Sequence, residues 1–306
     1  MASGGKPLIG FIGQGFIGKS YADDFERRGY QVVRYSLEPA YAMSKDRIAE
    51  CDIMFVAVNA ATVPSGELRD DGHPAVRFDD SNIRSVIALA RPGAIVVIKS
   101  TIPPGMTASL QAQYPDRIVL HSPEFLQETT AATDAANPER NIIGMPEDAP
   151  QHREAAARVL AVLPKAPHEL VTSAVNAELI KYGGNAYLNA KIVFSNIFFQ
   201  FAEKMGGDWE VIRVVIGADP RVGPSHMDLH LKEDPPGVYR RRGAGRSCFI
   251  KDWAELSELY AAAFPEDTHA IQVLRGFEYK NAELLREYDR YVNLLEGVYG
   301  KGAGIK

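Results

Sequence analysis

The stretch PLIGFIGQGFIGKSYADDFERRGYQVVRYS constrains the fold most. In it Gly13, Gly15 and Gly18 form G-x-G-x-x-G directly after an apolar run and at the start of an amphipathic one. In that setting the first glycine permits a tight turn, the second lets backbone approach a pyrophosphate, and the third lets helix and strand pack closely. The amides at the helix N-terminus favour the anion. The motif alone is weak, but strand, helix and second strand all have suitable lengths, so a bound dinucleotide is expected over a plain glycine-rich turn. Phe16 and Ile17 lie inside the turn and join the expected contacts. The second strand ends at Ser36, where an acidic residue normally holds the adenine ribose, and Glu38 follows. The expected cofactor is NAD. NADP stays open because losing that carboxylate tolerates a 2′-phosphate.

After this turn the first half keeps alternating short apolar runs (DIMFVAV, AIVVIKS, RIVLHS, NIIGM) with helical patterns, a rhythm that predicts a parallel sheet wrapped by helices. From Ala174 the pattern becomes helical as far as about Met205, with Gly206 and Gly207 as the stop. The paired Gly183 and Gly184 inside this helix point to close packing or an approaching ligand. The fold class expected is α/β: an N-terminal Rossmann-like doubly wound parallel sheet over 1–172, then an all-helical domain over 173–306. The segment 218–246, rich in proline, glycine and charge, is too long for a simple connector. DWAELSELYAAAF and the following stretch close the chain as helices, with a glycine-rich frayed tail.

Composition narrows the functional classes. A net charge of −5 gives no reason to expect nucleic acid as partner. No apolar run is long enough for a membrane span, and the N-terminus lacks the pattern of a signal peptide, so a cytoplasmic protein is expected. Two cysteines, Cys51 and Cys248, make neither a disulfide framework nor a metal site, and no metal is expected.

Further segments carry a resemblance: STIPPGMT (100–107), SPEFLQE (122–128), NPERNIIG (137–144), AELIKYGGNAYLNAKIVFSN (177–196), GADPRVG (217–223) and GAGRSCFIKD (243–252). In this order they resemble the UDP-glucose/GDP-mannose dehydrogenase family, whose members oxidise the C6 alcohol of a nucleotide sugar to a carboxylate in two NAD-dependent steps and serve polysaccharide biosynthesis. The resemblance implies that Cys248 is a nucleophile, trapping an aldehyde as a thiohemiacetal whose oxidation gives a thioester. Arg246, Lys251 and a helix starting near Asp252 are the neighbours expected to favour a thiolate. An isolated cysteine would instead read as an inert core residue.

Lys181 and Asn185 sit at i and i+4, one helical face, and Asn189 continues the stripe. By resemblance Lys181 and Asn185 bond the developing oxyanion and the attacking water, with Asp252 as base or orienting carboxylate. The plain alternative is a solvated helix face. Glu124 is implied as a general base or water-holding group, Glu128 as lining the nicotinamide pocket, and Thr101 as touching cofactor and water. Val58 and Lys251 are implied near the cofactor, and Phe125, Leu126, Gly245 and Arg246 near the substrate. The central helix, with IVFSNIFFQF, is expected to form a homodimer face, although plain core is compatible.

This sequence departs from the family at Asn59 and Ala60, where a proline and a threonine are usual, and at Arg246 and Ile250, where a glycine and a proline are usual. Family members continue into a C-terminal domain that binds the nucleotide base, whereas the resemblance here covers the first two domains. YRRRGAGR invites a reading of Arg240, Arg241 and Arg242 as a pyrophosphate clamp, set against a solvated basic loop. Two other functions compete: a two-electron dehydrogenase of the β-hydroxyacid type, which needs no cysteine, and a non-catalytic dinucleotide-binding protein, which needs none of Cys248, Lys181, Asn185 and Asp252.

Overall fold

The computed structural model describes residues 5–302, apart from 232, 234, 236 and the Ser247 side chain. From residue 303 on, the tail read above as frayed lies outside the described residues.

The elements run β1 (Ile9–Ile12), α1 (Phe16–Arg27), β2 (Val32–Tyr35), α2 (Pro39–Ala42), β3 (Ile53–Val56), β4 (Ala61–Leu68) and β5 (Pro74–Asp79). Next come α3 (Ser81–Ile87), β6 (Ile95–Ile98), α4 (Met106–Gln113), β7 (Ile118–His121), α5 (Ala131–Ala136), β8 (Arg140–Met145), α6 (Pro150–Val162) and β9 (His168–Ser173). The remainder is helical: α7 (Ala174–Lys204), α8 (Trp209–Ala218), α9 (Arg246–Ala263), α10 (Thr268–Glu287) and α11 (Val292–Tyr299).

The chain forms two compact units, residues 1–60 with 79–182, and 61–78 with 183–306. The division falls inside α7, between Tyr182 and Gly183, rather than at the end of β9 as the sequence suggested. The cause is Glu178, fully buried, whose carboxylate accepts from the Gly105 amide (2.6 Å), the Thr107 amide (2.9 Å) and the Thr107 hydroxyl (2.6 Å). These bonds cap the N-terminus of α4 and tie the opening turns of α7 to the first unit.

In the first unit seven strands follow the order β2-β1-β3-β6-β7-β8-β9. Neighbours pair in parallel except β7 with β8, which are antiparallel through His121 and Gly144. β1, β3 and β6 (IGFI, IMFV, IVVI) are buried at every position, as strands of a sheet covered on both faces must be. Phe11 and Phe55 stack at 4.9 Å on adjacent strands and Phe25 of α1 meets both edge-on. Each such ring contributes roughly 1.5–3 kcal/mol by leaving water.

The second unit adds to its helices a two-stranded sheet of β4 and β5, which the sequence reading did not assign. Arg69 at the hairpin turn is buried and donates to both oxygens of Glu278 (3.1 and 3.0 Å) and to Glu258 (2.7 Å). Tyr299 donates to Glu278 as well, at 2.7 Å. A guanidinium removed from water is stable only with such bidentate partners. Around it Val76, Ile250, Leu285 and Leu295 form one core, while Phe199, Trp209, Met227 and Leu229 form another. Gly183 and Gly184 have no atom within 4 Å of a built Cβ, so close packing does not explain them in the described residues.

Candidate active-site residues in each unit

The first unit builds the glycine turn from its own sterics. Gly13 has φ +89°, and a Cβ there would stand 2.3 Å from the Ala57 carbonyl oxygen. A Cβ on Gly18 would stand 1.8 Å from the Gly13 oxygen, so helix and strand could not approach. At Gly15 a Cβ would meet nothing within 4 Å. The protein's own backbone therefore requires two of the glycines, while the middle one leaves open space before the N-terminus of α1. That cradle fits a pyrophosphate held on helix amides.

The neighbouring candidates surround this turn unevenly. Phe16 is 42% exposed at the start of α1, and Ile17 packs on the core. Ser36 follows β2, its hydroxyl accepting from the Glu38 amide at 3.2 Å, and Glu38 is exposed. Val58, past β3, is half-buried and its carbonyl accepts from the Ser100 hydroxyl (2.7 Å). Asn59 is exposed and Ala60 buried. Thr101 is half-buried just after β6 and Glu128 is exposed.

Beyond β7, Glu124 is buried, its Oε1 accepting from the amides of Phe125 (2.6 Å) and Leu126 (2.9 Å). Its Oε2 lies 3.3 Å from the ammonium of buried Lys99. The Phe125 ring is flanked by the Arg140 guanidinium at 3.9 Å and the Lys181 ammonium at 5.3 Å. Lys181 is thus packed rather than lying on a fully solvated face. Sequence reasoning missed Lys99 and His121. Both are polar residues at the ends of apolar strand runs, which is the signal that could have found them. His121 is fully buried, and its pKa is pushed down to about 3 by burial and by the charges of Lys99 and Lys181, so the ring is neutral.

In the second unit α9 begins at Arg246, not near Asp252, which puts Cys248 in its first turn, half-buried. Helical spacing then aligns Cys248, Lys251, Asp252 and Glu255 along one face. Asp252 is buried and accepts from the Asn185 amide (2.6 Å) through Oδ2 and from the Lys251 ammonium (2.5 Å) through Oδ1. Burial alone would lower the Lys251 pKa, but the Asp252 carboxylate and then the Cys248 sulfur raise it above the ordinary lysine value. Asn189 is buried and donates to the Phe249 carbonyl at 3.0 Å, so it positions α9. Glu255, which the sequence reading passed over, is buried with an unpartnered Oε2.

The backbone before Cys248 is strained. Arg246 adopts φ +66°, the left-handed region that favours glycine. A Cβ on Gly245 would fall 2.1 Å from Tyr291 Cδ2. Ile250, the other departure, is simply core. The three arginines divide: Arg240 and Arg241 are exposed, whereas Arg242 is buried, donating to Asn196 and lying over the rings of Phe199 (4.4 Å) and Tyr288 (5.2 Å). Neither a three-fold clamp nor a uniformly solvated loop describes them.

A doubly wound sheet with a glycine turn of this geometry defines a dinucleotide-binding α/β domain, here joined to helices carrying a buried aspartate bonded by a half-buried lysine and asparagine next to a cysteine. Residues 34–162 match the NAD-binding domain of the UDP-glucose/GDP-mannose dehydrogenase family and 175–276 match its central domain. The chain belongs to that family. It is 31% identical over 265 residues to a UDP-glucose 6-dehydrogenase of Rickettsia conorii, covering 85% of this chain and 56% of that protein. The chain spans about half the length of the curated relatives it matches. A UDP-glucose dehydrogenase from Pyrobaculum islandicum shares the fold with a TM-score of 0.70 and 23% identity, over 94% of this chain and 72% of that one. So does a 3-hydroxyisobutyrate dehydrogenase of Mycobacterium tuberculosis, at TM-score 0.61 and 18% identity, over 95% of this chain and 99% of that one. Among the described residues no helix is long and apolar enough to cross a membrane, and no group of three or more His, Cys, Asp or Glu could hold a metal.

Proposed function

We propose that this protein catalyses the NAD-dependent, four-electron oxidation of the C6 alcohol of a nucleotide sugar such as UDP-glucose to a carboxylate, through a thiohemiacetal and a thioester on Cys248. The observation that carries this reading is the pair Lys251 and Asp252 on the helix whose first turn bears Cys248, with Asn185 of α7 donating to Asp252. A binding protein has no chemical use for a half-buried thiol beside a half-buried ammonium, and a two-electron dehydrogenase has none for the thiol.

Bound NAD would be held by the amides at Gly15–Gly18 and would accept a hydride in each oxidation. The rest is this chain's own chemistry. Asp252, fixed by two donors, orients the Asn185 amide and the Lys251 ammonium. Lys181 and Asn185 supply donors for charge developing on the sugar oxygen. The Cys248 sulfur adds to the aldehyde carbon, so the reactive aldehyde is not released. Glu124 takes a proton from the water that cleaves the thioester: the C–O bond forms, the C–S bond breaks, and its electron pair returns to sulfur. Thr101 and Glu128 line the cofactor side. Phe125 and Leu126 of the first unit, and Gly245 and Arg246 of the second, are each assigned to the substrate.

The same reading includes a homodimer and a cytoplasmic role in making acidic sugars for polysaccharides. Phe194, Ile197 and Phe201 on α7, with Met205 just past its end, leave an apolar stripe exposed (42–70%), which supports a second copy covering it. The test of the function is a panel of nucleotide sugars incubated with NAD, with NADH followed optically and products identified by mass. A carboxylate from at least one sugar is expected, and no turnover by enzyme that binds NAD normally would end the reading.

A further inference from the structure

Lys99 sits in an unusual environment. Its side chain is 3% exposed at the end of β6, a strand otherwise of pure hydrocarbon. A lysine so placed is expensive unless its charge is matched. Its ammonium stands 3.3 Å from Glu124 Oε2, donates to the Ser122 hydroxyl at 3.2 Å, and lies over the Tyr21 ring at 4.5 Å. Tyr21 is itself held protonated, its pKa raised well above the ordinary value by burial and by the negative charge of Glu124.

Glu124 is divided between two tasks. Its Oε1 is occupied by the amides of Phe125 and Leu126, while its buried Oε2 is paired with the Lys99 ammonium at 3.3 Å and takes no backbone amide. Both Lys99 and Glu124 line a cavity of about 90 Å³ within the first unit, together with Tyr21, Ser122 and Arg140. A water needs only about 10–15 Å³ of such space, so the cavity has room for water, and its walls are polar enough to hold it.

We propose that Lys99 is a positioning residue that acts through Glu124, and that this cavity is the water store for thioester hydrolysis. Glu124 would use Oε1 to fix its own orientation and Oε2 to hold and deprotonate water. Lys99 pairs with Oε2 at 3.3 Å and keeps it turned toward the cavity. The neutral His121 ring behind Ile98 adds no competing charge. The contacts of the Lys99 ammonium are Glu124, Ser122 and Tyr21, so its loss should spare the oxidations and slow only the hydrolysis. The inference rests on the thioester reading above.

The experiment compares Lys99→Met, Lys99→Arg, Glu124→Gln and the Lys99→Met/Glu124→Gln pair, using UDP-glucose and NAD with wild type as control. In Lys99→Met the first-turnover burst of NADH should stay within about threefold of wild type, steady-state kcat should fall at least thirtyfold, and intact mass should find the acyl group on Cys248. Lys99→Arg should recover most of kcat, and the double variant should lose no more than Glu124→Gln alone. If Lys99→Met does not fold, Ser122→Ala, which removes the acceptor and keeps the charge, should still slow hydrolysis severalfold with the burst intact. Equal loss of burst and steady state, additive losses, or an unchanged kcat would overturn the proposal. A wild type with no acyl-enzyme would instead overturn the thioester reading.

Discussion

The Asn185 amide and the Asp252 carboxylate meet at 2.6 Å, Nδ2 to Oδ2, while Lys251 holds the other carboxylate oxygen. Replacing Asn185 with Ala leaves a buried carboxylate one donor short, which costs about 1–3 kcal/mol of stability. Turnover should fall by roughly ten- to a hundredfold, as for lost transition-state donors. Asn185→Asp should be worse on both counts, because two carboxylates would then face each other. Thermal unfolding with steady-state kinetics on the two variants checks the order.

Arg246 is the one non-glycine φ above zero inside the cysteine turn, at +66°. Arg246→Gly should therefore raise stability by about 1 kcal/mol, or about 2 °C in Tm for a chain of this size. Gly245→Ala should do the opposite, losing about 3 kcal/mol or more to the clash with Tyr291. Tyr291→Ala should rescue part of that loss. Calorimetry on the three variants is the measurement.

Glu255 makes stability depend on pH. Burial, then the charges of Glu258 and Asp252, raise its pKa from 4.5 to about 7, against the lowering effect of Lys251. In the unfolded chain it ionises near 4.5, so between that pH and about 7 the folded state binds more protons and stability falls as pH rises. Below the unfolded value the contribution is complete, and above about 7 it has gone. Against this, Glu255→Gln should be more stable than wild type at pH 8 by roughly 2–3 kcal/mol and about equal at pH 4. Urea unfolding across this range checks the sign.

Two glycines of one turn should fail differently. Gly18→Ala should destabilise the first unit, since its Cβ would overlap the Gly13 carbonyl. Gly15→Ala should leave the melting temperature unchanged, because its Cβ meets nothing, and weaken NAD at least tenfold by filling the space a pyrophosphate needs. Melting curves and titration with NAD separate the two.

Much of this was legible because it is written locally. Gly13, Gly15 and Gly18 declare their turn by spacing, and the buried runs IGFI, IMFV and IVVI declare a covered sheet. The span of α7 could be read from its periodicity and its glycine stop. The hairpin of β4 and β5 escaped because Pro64 interrupts an alternating strand, and its partners Glu258 and Glu278 lie far along the chain. The early start of α9 escaped because Gly245 and the left-handed Arg246 look like a loop and no capping side chain marks the helix. Lys99, Glu255 and Arg242 escaped because a charged residue advertises solvent, and only long-range packing reveals that these three are buried.

The nucleophilic role of Cys248 is tested most directly by counting electrons. With UDP-glucose as substrate, wild type should yield two NADH per carboxylate, and Cys248→Ala, binding NAD as tightly as wild type, should form no carboxylate. A Cys248→Ala enzyme that still delivers the acid with two NADH would contradict the account.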